Sequence, residues 1–161
     1  LSLKAGERFS QREIAKALNV SPTAVSNTAK NLTAKNLIRV EKTKTINFIS
    51  FNRDNPKAIE LKRVENLKRF YILGLSDFLE ENLAGATIIL FGSYSRGEDT
   101  KLSDIDIAVI GRKDKLLNLE TFEKKLNRQI NINFYSSWKE IHKHLKNNIL
   151  NGIILSGSVE L

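Results

Sequence analysis

Two aspartates one residue apart, Asp104 and Asp106, open one apolar run, and a Gly92-Ser93 pair closes another shortly before it. Read as strands, Ile88 to Phe91 and Ile105 to Ile110 put both aspartates on one face of the second strand, because side chains alternate with period 2. Paired carboxylates are hard oxygen ligands, and they suit magnesium, which completes its octahedron with water and phosphate oxygens. Gly92 lets the backbone come close to a phosphate, and Ser93 offers an amide and a hydroxyl. The turn after them begins a short helix whose N-terminal amides favour an anion. Arg96 reaches either a triphosphate or a structural ion pair. Tyr94 serves as core or as a ring facing a nucleotide, and Lys101 as loop surface. The spacing points to magnesium-assisted chemistry on a nucleoside triphosphate, with Asp104 and Asp106 as metal ligands and catalytic carboxylates and Gly92, Ser93 and Arg96 on the nucleotide.

The segments Phe91-Gly92-Ser93-Tyr94-Ser95-Arg96-Gly97 and Ser103-Asp104-Ile105-Asp106-Ile107 resemble the minimal nucleotidyltransferase domains of the polymerase-beta-like superfamily, over about residues 85–161. The resemblance implies a mixed sheet flanked by helices. It also implies in-line transfer of a nucleoside monophosphate to an acceptor hydroxyl, with release of pyrophosphate. Members of that superfamily usually carry a third carboxylate on a later strand. Here Asn131 stands at that place, and no Asp or Glu lies between Lys124 and Lys139. Asparagine carries no charge and cannot act as a base, and a lost general base typically costs a factor of about a hundred to ten thousand.

The elements expected to hold this site follow from hydrophobic patterning. Strands are expected at Thr87 to Phe91, Asp104 to Ile110, Gln129 to Tyr135 and Ile153 to Leu155, with helices at about Leu116 to Leu126 and Ser137 to Leu150. Upstream, the apolar residues from Ala58 to Leu83 recur at three- and four-residue intervals after the breaker Asn52-Arg53-Asp54-Asn55-Pro56. They predict one long helix or two in succession, with Gly74 a break. This helical connector has three uses open to it: a rigid link, a homodimer seam, or core.

The first third of the chain has its own pattern. Ser10 followed by Glu13 is a capping box for a helix that ends at Asn19, and Ser21-Pro22 is the cap and first position of the next. Leu37 to Val40 and Ile46 to Phe51 then read as two strands around a basic turn. Two helices joined by a short turn make either a helix-turn-helix or an ordinary helical hairpin. With the hairpin of strands added, residues 1–51 resemble the winged helices of microbial transcription regulators. That resemblance implies double-stranded DNA as partner, with Ser21, Thr23, Ser26 and Asn27 toward base edges and Lys30, Arg39, Lys42 and Lys44 toward phosphates.

Charge agrees with this division. The chain of 161 residues carries +8, and residues 1–51 hold nine Lys or Arg against three acids. So basic a segment points to a polyanion or to a merely soluble basic surface. Cysteine is absent, which excludes disulfides and thiolate metal sites. His142 and His144 lie on different sides of any helix and read as surface. No apolar run has the length of a membrane span and nothing resembles a signal peptide, so a cytoplasmic protein is expected, one lacking its natural start because position 1 is Leu.

The expected architecture is α+β: a winged helix-turn-helix over residues 1–53, a helical connector over 54–84 and a nucleotidyltransferase domain over 85–161. Two functions follow. One is a DNA-tethered nucleotidyltransferase that takes magnesium and a nucleoside triphosphate. The other is a transcriptional regulator or antitoxin-like protein, whose degenerate nucleotidyltransferase domain senses a ligand or binds a small helical protein partner.

Overall fold

A computed structural model describes residues 1–160, and the chain divides into two compact units, Leu1–Lys62 and a second from Arg63 onward. The first unit opens with a 3-10 turn (Ser2–Lys4) and strand β1 (Arg8–Ser10), followed by helices α1 (Gln11–Leu18) and α2 (Pro22–Ala34) and strands β2 (Ile38–Lys42) and β3 (Asn47–Phe51). The three strands form an antiparallel sheet in the order β1-β3-β2. Ala15, Val25, Ala29, Ile38 and Ile49 are its buried core.

Local chemistry accounts for these helix boundaries. The Ser10 hydroxyl accepts from the Glu13 amide at 3.2 Å while the Glu13 carboxylate accepts from the Ser10 amide at 2.7 Å, so both halves of the capping box are made. The Ser10 amide first, and the Ser10 side chain after it, hold the Glu13 carboxyl below its usual range. Asn19 ends α1 in the left-handed conformation at φ +52°, and the Ser21 hydroxyl caps α2 through the Ala24 amide at 3.1 Å. Strand β1 is the element the patterning did not reveal. It is only three residues long and runs straight into the cap of α1, so it leaves no alternation to read.

Helix α3 (Pro56–Ile72) begins at the last residue of the breaker cluster, with the Asn55 side-chain oxygen Oδ1 accepting from the Lys57 amide at 2.9 Å. Its residues through Lys62 belong to the first unit and the remainder to the second. Gly74, at φ +73°, separates α3 from α4 (Leu75–Asn82), the break expected there. Phe70, Leu75, Leu79 and Leu83 are buried in the core of the second unit, while Val64, Tyr71 and Ile72 are exposed.

The second unit is built on strands β4 (Thr87–Phe91), β5 (Ile105–Ile110), β6 (Ile130–Tyr135) and β7 (Ile153–Ser156), in the order β6-β5-β4-β7. Strands β5 and β6 are parallel and β4 is antiparallel to both β5 and β7, so the sheet is mixed. Its two faces have separate cores. Ile88, Leu90, Ile105, Ile107 and Val109 face one, and Ile89, Phe91, Ala108 and Ile110 face the other with Trp138, Ile141 and Ile149. Burial on both faces explains why β4 and β5 read as continuous apolar runs.

Helices α5 (Gly92–Arg96), α6 (Glu120–Leu126) and α7 (Lys143–Leu150) complete the unit. Two expected helices are shorter than their patterns. The one expected from Leu116 starts only at Glu120, where the Asn118 side chain accepts from the Glu120 amide at 3.3 Å. Leu117 and Leu119 pack on the core from a non-helical segment, and Leu116 is fully exposed. The one expected from Ser137 is divided into a 3-10 turn, Trp138–Glu140, and α7, because Ile141 is extended and buried between them.

Candidate functional site

Strand pairing brings the candidate residues of the second unit together. Phe91, the last residue of β4, pairs with Asp106, and Gly92 follows it at φ +75°. A Cβ built on Gly92 would stand 2.5 Å from Asp106 Oδ2, so only glycine leaves that carboxylate oxygen accessible from β4. Ser93 in the first turn of α5 and both aspartates are half-buried, within reach of solvent. Gly97 ends α5 in the left-handed conformation at φ +76°, turning the chain into the loop that returns to Asp104.

The other flank is set by β6. Asn131 lies directly opposite Asp106 in the parallel pairing. Its side-chain amide donates to Asp104 Oδ2 at 3.2 Å and to Asp106 Oδ1 at 3.4 Å. The place expected for a third carboxylate is therefore occupied by an amide in contact with both carboxylates. Among the described residues, no three His, Cys, Asp or Glu side chains converge where they could hold a metal ion. The group available here is two carboxylates and one carboxamide, all hard donors of the kind magnesium takes.

Side-chain contacts bear on two roles left open by the sequence. Tyr94 is core: its hydroxyl donates to the Asn66 carbonyl at 3.2 Å, and burial pushes the phenol up to about 12. Arg96 donates through Nε to Glu98 at 2.8 Å and through Nη1 to Asn148 at 2.9 Å, which ties α5 to α7.

The loop before Asp104 is held by residues that no motif in the sequence marks. Arg128 donates to the carbonyls of Thr100 and Ser103, the latter at 3.0 Å, and to Asp99 Oδ2 at 2.8 Å. Asn66 donates to Asp99 Oδ1 at 2.7 Å and to the Tyr94 carbonyl at 3.0 Å. Asp99 and Asn66 are buried, and the Arg128 side chain is 6% exposed.

In the first unit, Thr23, Asn27 and Lys30 are exposed on α2 at intervals of four and three residues, one face of a helix, with Ser26 half-buried beside them. The Ser21 hydroxyl is engaged in the cap, and Arg39 is ion-paired with Asp54. Lys42 ends β2 and Lys44 stands in the turn, both exposed. That turn is closed by the Thr43 hydroxyl, which accepts from the Ile46 amide at 3.0 Å and donates to its carbonyl at 2.6 Å.

Residues 72–156 match the model of the nucleotidyltransferase domain family, and residues 2–45 match that of the MarR family. The first match spans just over half of the chain, which therefore belongs to the nucleotidyltransferase domain family. Ahead of that domain stands a MarR-like winged helix. No curated protein and no solved structure gives a match. No helix among the described residues is long and apolar enough to cross a membrane.

Proposed function

We propose that this protein holds a magnesium–nucleoside triphosphate in its second unit and duplex DNA on its first, as a nucleotide-responsive DNA-binding protein with slow or no nucleotidyl transfer. The observation that carries the reading is the contact of Asn131 with both aspartates. Asp104 and Asp106 are the residues that would hold magnesium, which when bound would neutralise phosphate charge and polarise the α-phosphate. Gly92 keeps the approach to Asp106 clear, and Ser93 offers its hydroxyl to phosphate oxygens. Asn131 contributes an amide and a carbonyl oxygen but no charge, so it neither accepts a proton from an acceptor hydroxyl nor stabilises a second cation.

On DNA, the exposed face of α2 with Thr23 and Asn27 is the part suited to base edges, and Lys30, Lys42 and Lys44 are suited to phosphates. Ser21 and Arg39 would have to leave their present partners to take part.

A second reading, full nucleotidyl transfer, is favoured by the close approach of the Gly92 backbone to the Asp106 carboxylate, which only glycine permits. Incubation with α-labelled triphosphates, magnesium and protein, RNA and small-molecule acceptors separates the two. Labelled nucleotide retained on the protein without labelled product supports the first reading. Rapid, multiple-turnover product formation that is lost in Asp104→Asn supports transfer and overturns it.

A further inference from the structure

The buried Asn66, Asp99 and Arg128 side chains lie in the same unit as the candidate metal site, yet none belongs to it. Asp99 is a carboxylate sealed from solvent, and each of its oxygens is engaged, Oδ1 by Asn66 and Oδ2 by Arg128. No buried side-chain nitrogen or oxygen among the described residues lacks a partner. A buried ion pair is a poor way of gaining stability, since its desolvation often cancels its attraction; its best-attested use is to fix one arrangement.

What this pair fixes can be read from its remaining bonds. Arg128 Nη1 donates to the carbonyls of Thr100 and Ser103, the two ends of a turn. The turn is closed by the Thr100 amide on the Ser103 hydroxyl at 2.9 Å and by the Ser103 amide on the Thr100 carbonyl at 3.2 Å. Asp104 is the next residue. On the other side, Arg128 precedes Gln129, whose carbonyl accepts from the Ile105 amide at 2.9 Å, and lies just ahead of Asn131. One guanidinium thus grips the backbone before the first aspartate and stands two residues ahead of the strand that carries its amide partner. The planar fork of arginine can do this with several parallel donors, whereas the single ammonium of lysine cannot.

We propose that Arg128, braced by Asp99 and Asn66, is the positioning residue that sets where Asp104 stands against Asn131 and Asp106, and thereby how strongly the site takes a divalent cation. The part about cation affinity rests on the proposed function. The part about position does not.

The test uses the full chain with three substitutions, Arg128→Lys, Asp104→Asn and Ile149→Val. Ile149 is fully buried with Ala108, Ile110, Trp138 and Ile141, in a different core from the one that holds Tyr94 and Ile105, so Ile149→Val loosens the fold without changing the core on which Arg128, Asp99 and Asn66 sit. The first readout needs no metal. The side-chain amide resonances of Asn131 report its bonds to Asp104 and Asp106, and they shift in Arg128→Lys but stay in place in Ile149→Val. The second readout is Mn2+ binding followed by electron paramagnetic resonance. Arg128→Lys weakens it by about ten- to a hundredfold, the usual effect of removing an outer partner of a metal ligand, and Asp104→Asn abolishes it. Unmoved Asn131 resonances in Arg128→Lys, or resonances that move equally in Ile149→Val, overturn the positioning role. If the wild type takes no Mn2+ while the resonances shift as expected, the position is upheld and the metal reading of the site fails.

Discussion

Asn131 stands opposite Asp106 across the parallel β5–β6 pair and donates its side-chain amide to both Asp106 and Asp104. Without a cation, such a donor screens two carboxylates that would otherwise repel. A third carboxylate at this place would add to the repulsion until a metal relieved it.

Replacing Asn131 by Asp is therefore expected to lower thermal stability in metal-free buffer and to make stability depend on magnesium. It should also raise nucleotidyl transfer by about a hundredfold or more, the usual contribution of a general base. Melting curves with and without magnesium, beside pyrophosphate release, check both.

Gly92→Ala places a Cβ against the Asp106 carboxylate and forces a non-glycine residue to φ +75°. The left-handed backbone alone costs about 1–2 kcal/mol. Denaturant unfolding should show a loss of at least that size, together with weaker Mn2+ binding.

DNA binding by the first unit should weaken as salt rises. The logarithm of the binding constant falls with a slope of about −0.9 per phosphate neutralised. Lys42→Ala and Lys44→Ala should each flatten that slope by about one phosphate, whereas Asp104→Asn leaves it unchanged. Fluorescence anisotropy with labelled duplex over a salt series reads this, and a slope indifferent to both lysines would remove the turn from the interface.

Tyr94 gives a pH dependence with a definite sign. Its phenol is raised to about 12, chiefly by burial, against an ordinary value of 10.0. The neutral form is favoured in the folded state, so its contribution is complete below about pH 10 and is lost as pH rises toward about 12. Unfolding curves across that interval should fall more steeply for the wild type than for Tyr94→Phe.

Much of this fold was legible because its signals are local. Ser10 with Glu13, Asn19, Ser21 with Pro22, and Gly74 each mark a helix end within a few residues, and each is found there. The site was legible for a related reason: the Gly92-Ser93 and Asp104–Asp106 pairs border apolar strands, so the strand period alone aligns them. Asn131 fell at its expected place because β6 carries its own alternation. Other features depend on partners distant in sequence. Strand β1 exists only through its pairing with β3, Leu117 and Leu119 leave a helical pattern to reach the core, and Ile141 does the same between Trp138 and α7. The contacts of Asp99 with Asn66 and Arg128 span 33 and 29 residues, and no spacing rule announces them.

The central claim is that Asp104 and Asp106 form a site for a magnesium-bound triphosphate that Asn131 leaves able to bind and poorly able to react. Calorimetric titration of the wild type and of Asp104→Asn with each nucleoside triphosphate, with and without magnesium, tests it most directly. The expected result is magnesium-dependent binding of at least one triphosphate to the wild type, weakened at least about tenfold in Asp104→Asn, with no heat of continuing turnover. Equal binding by both proteins, or no binding of any triphosphate by the wild type, would contradict it.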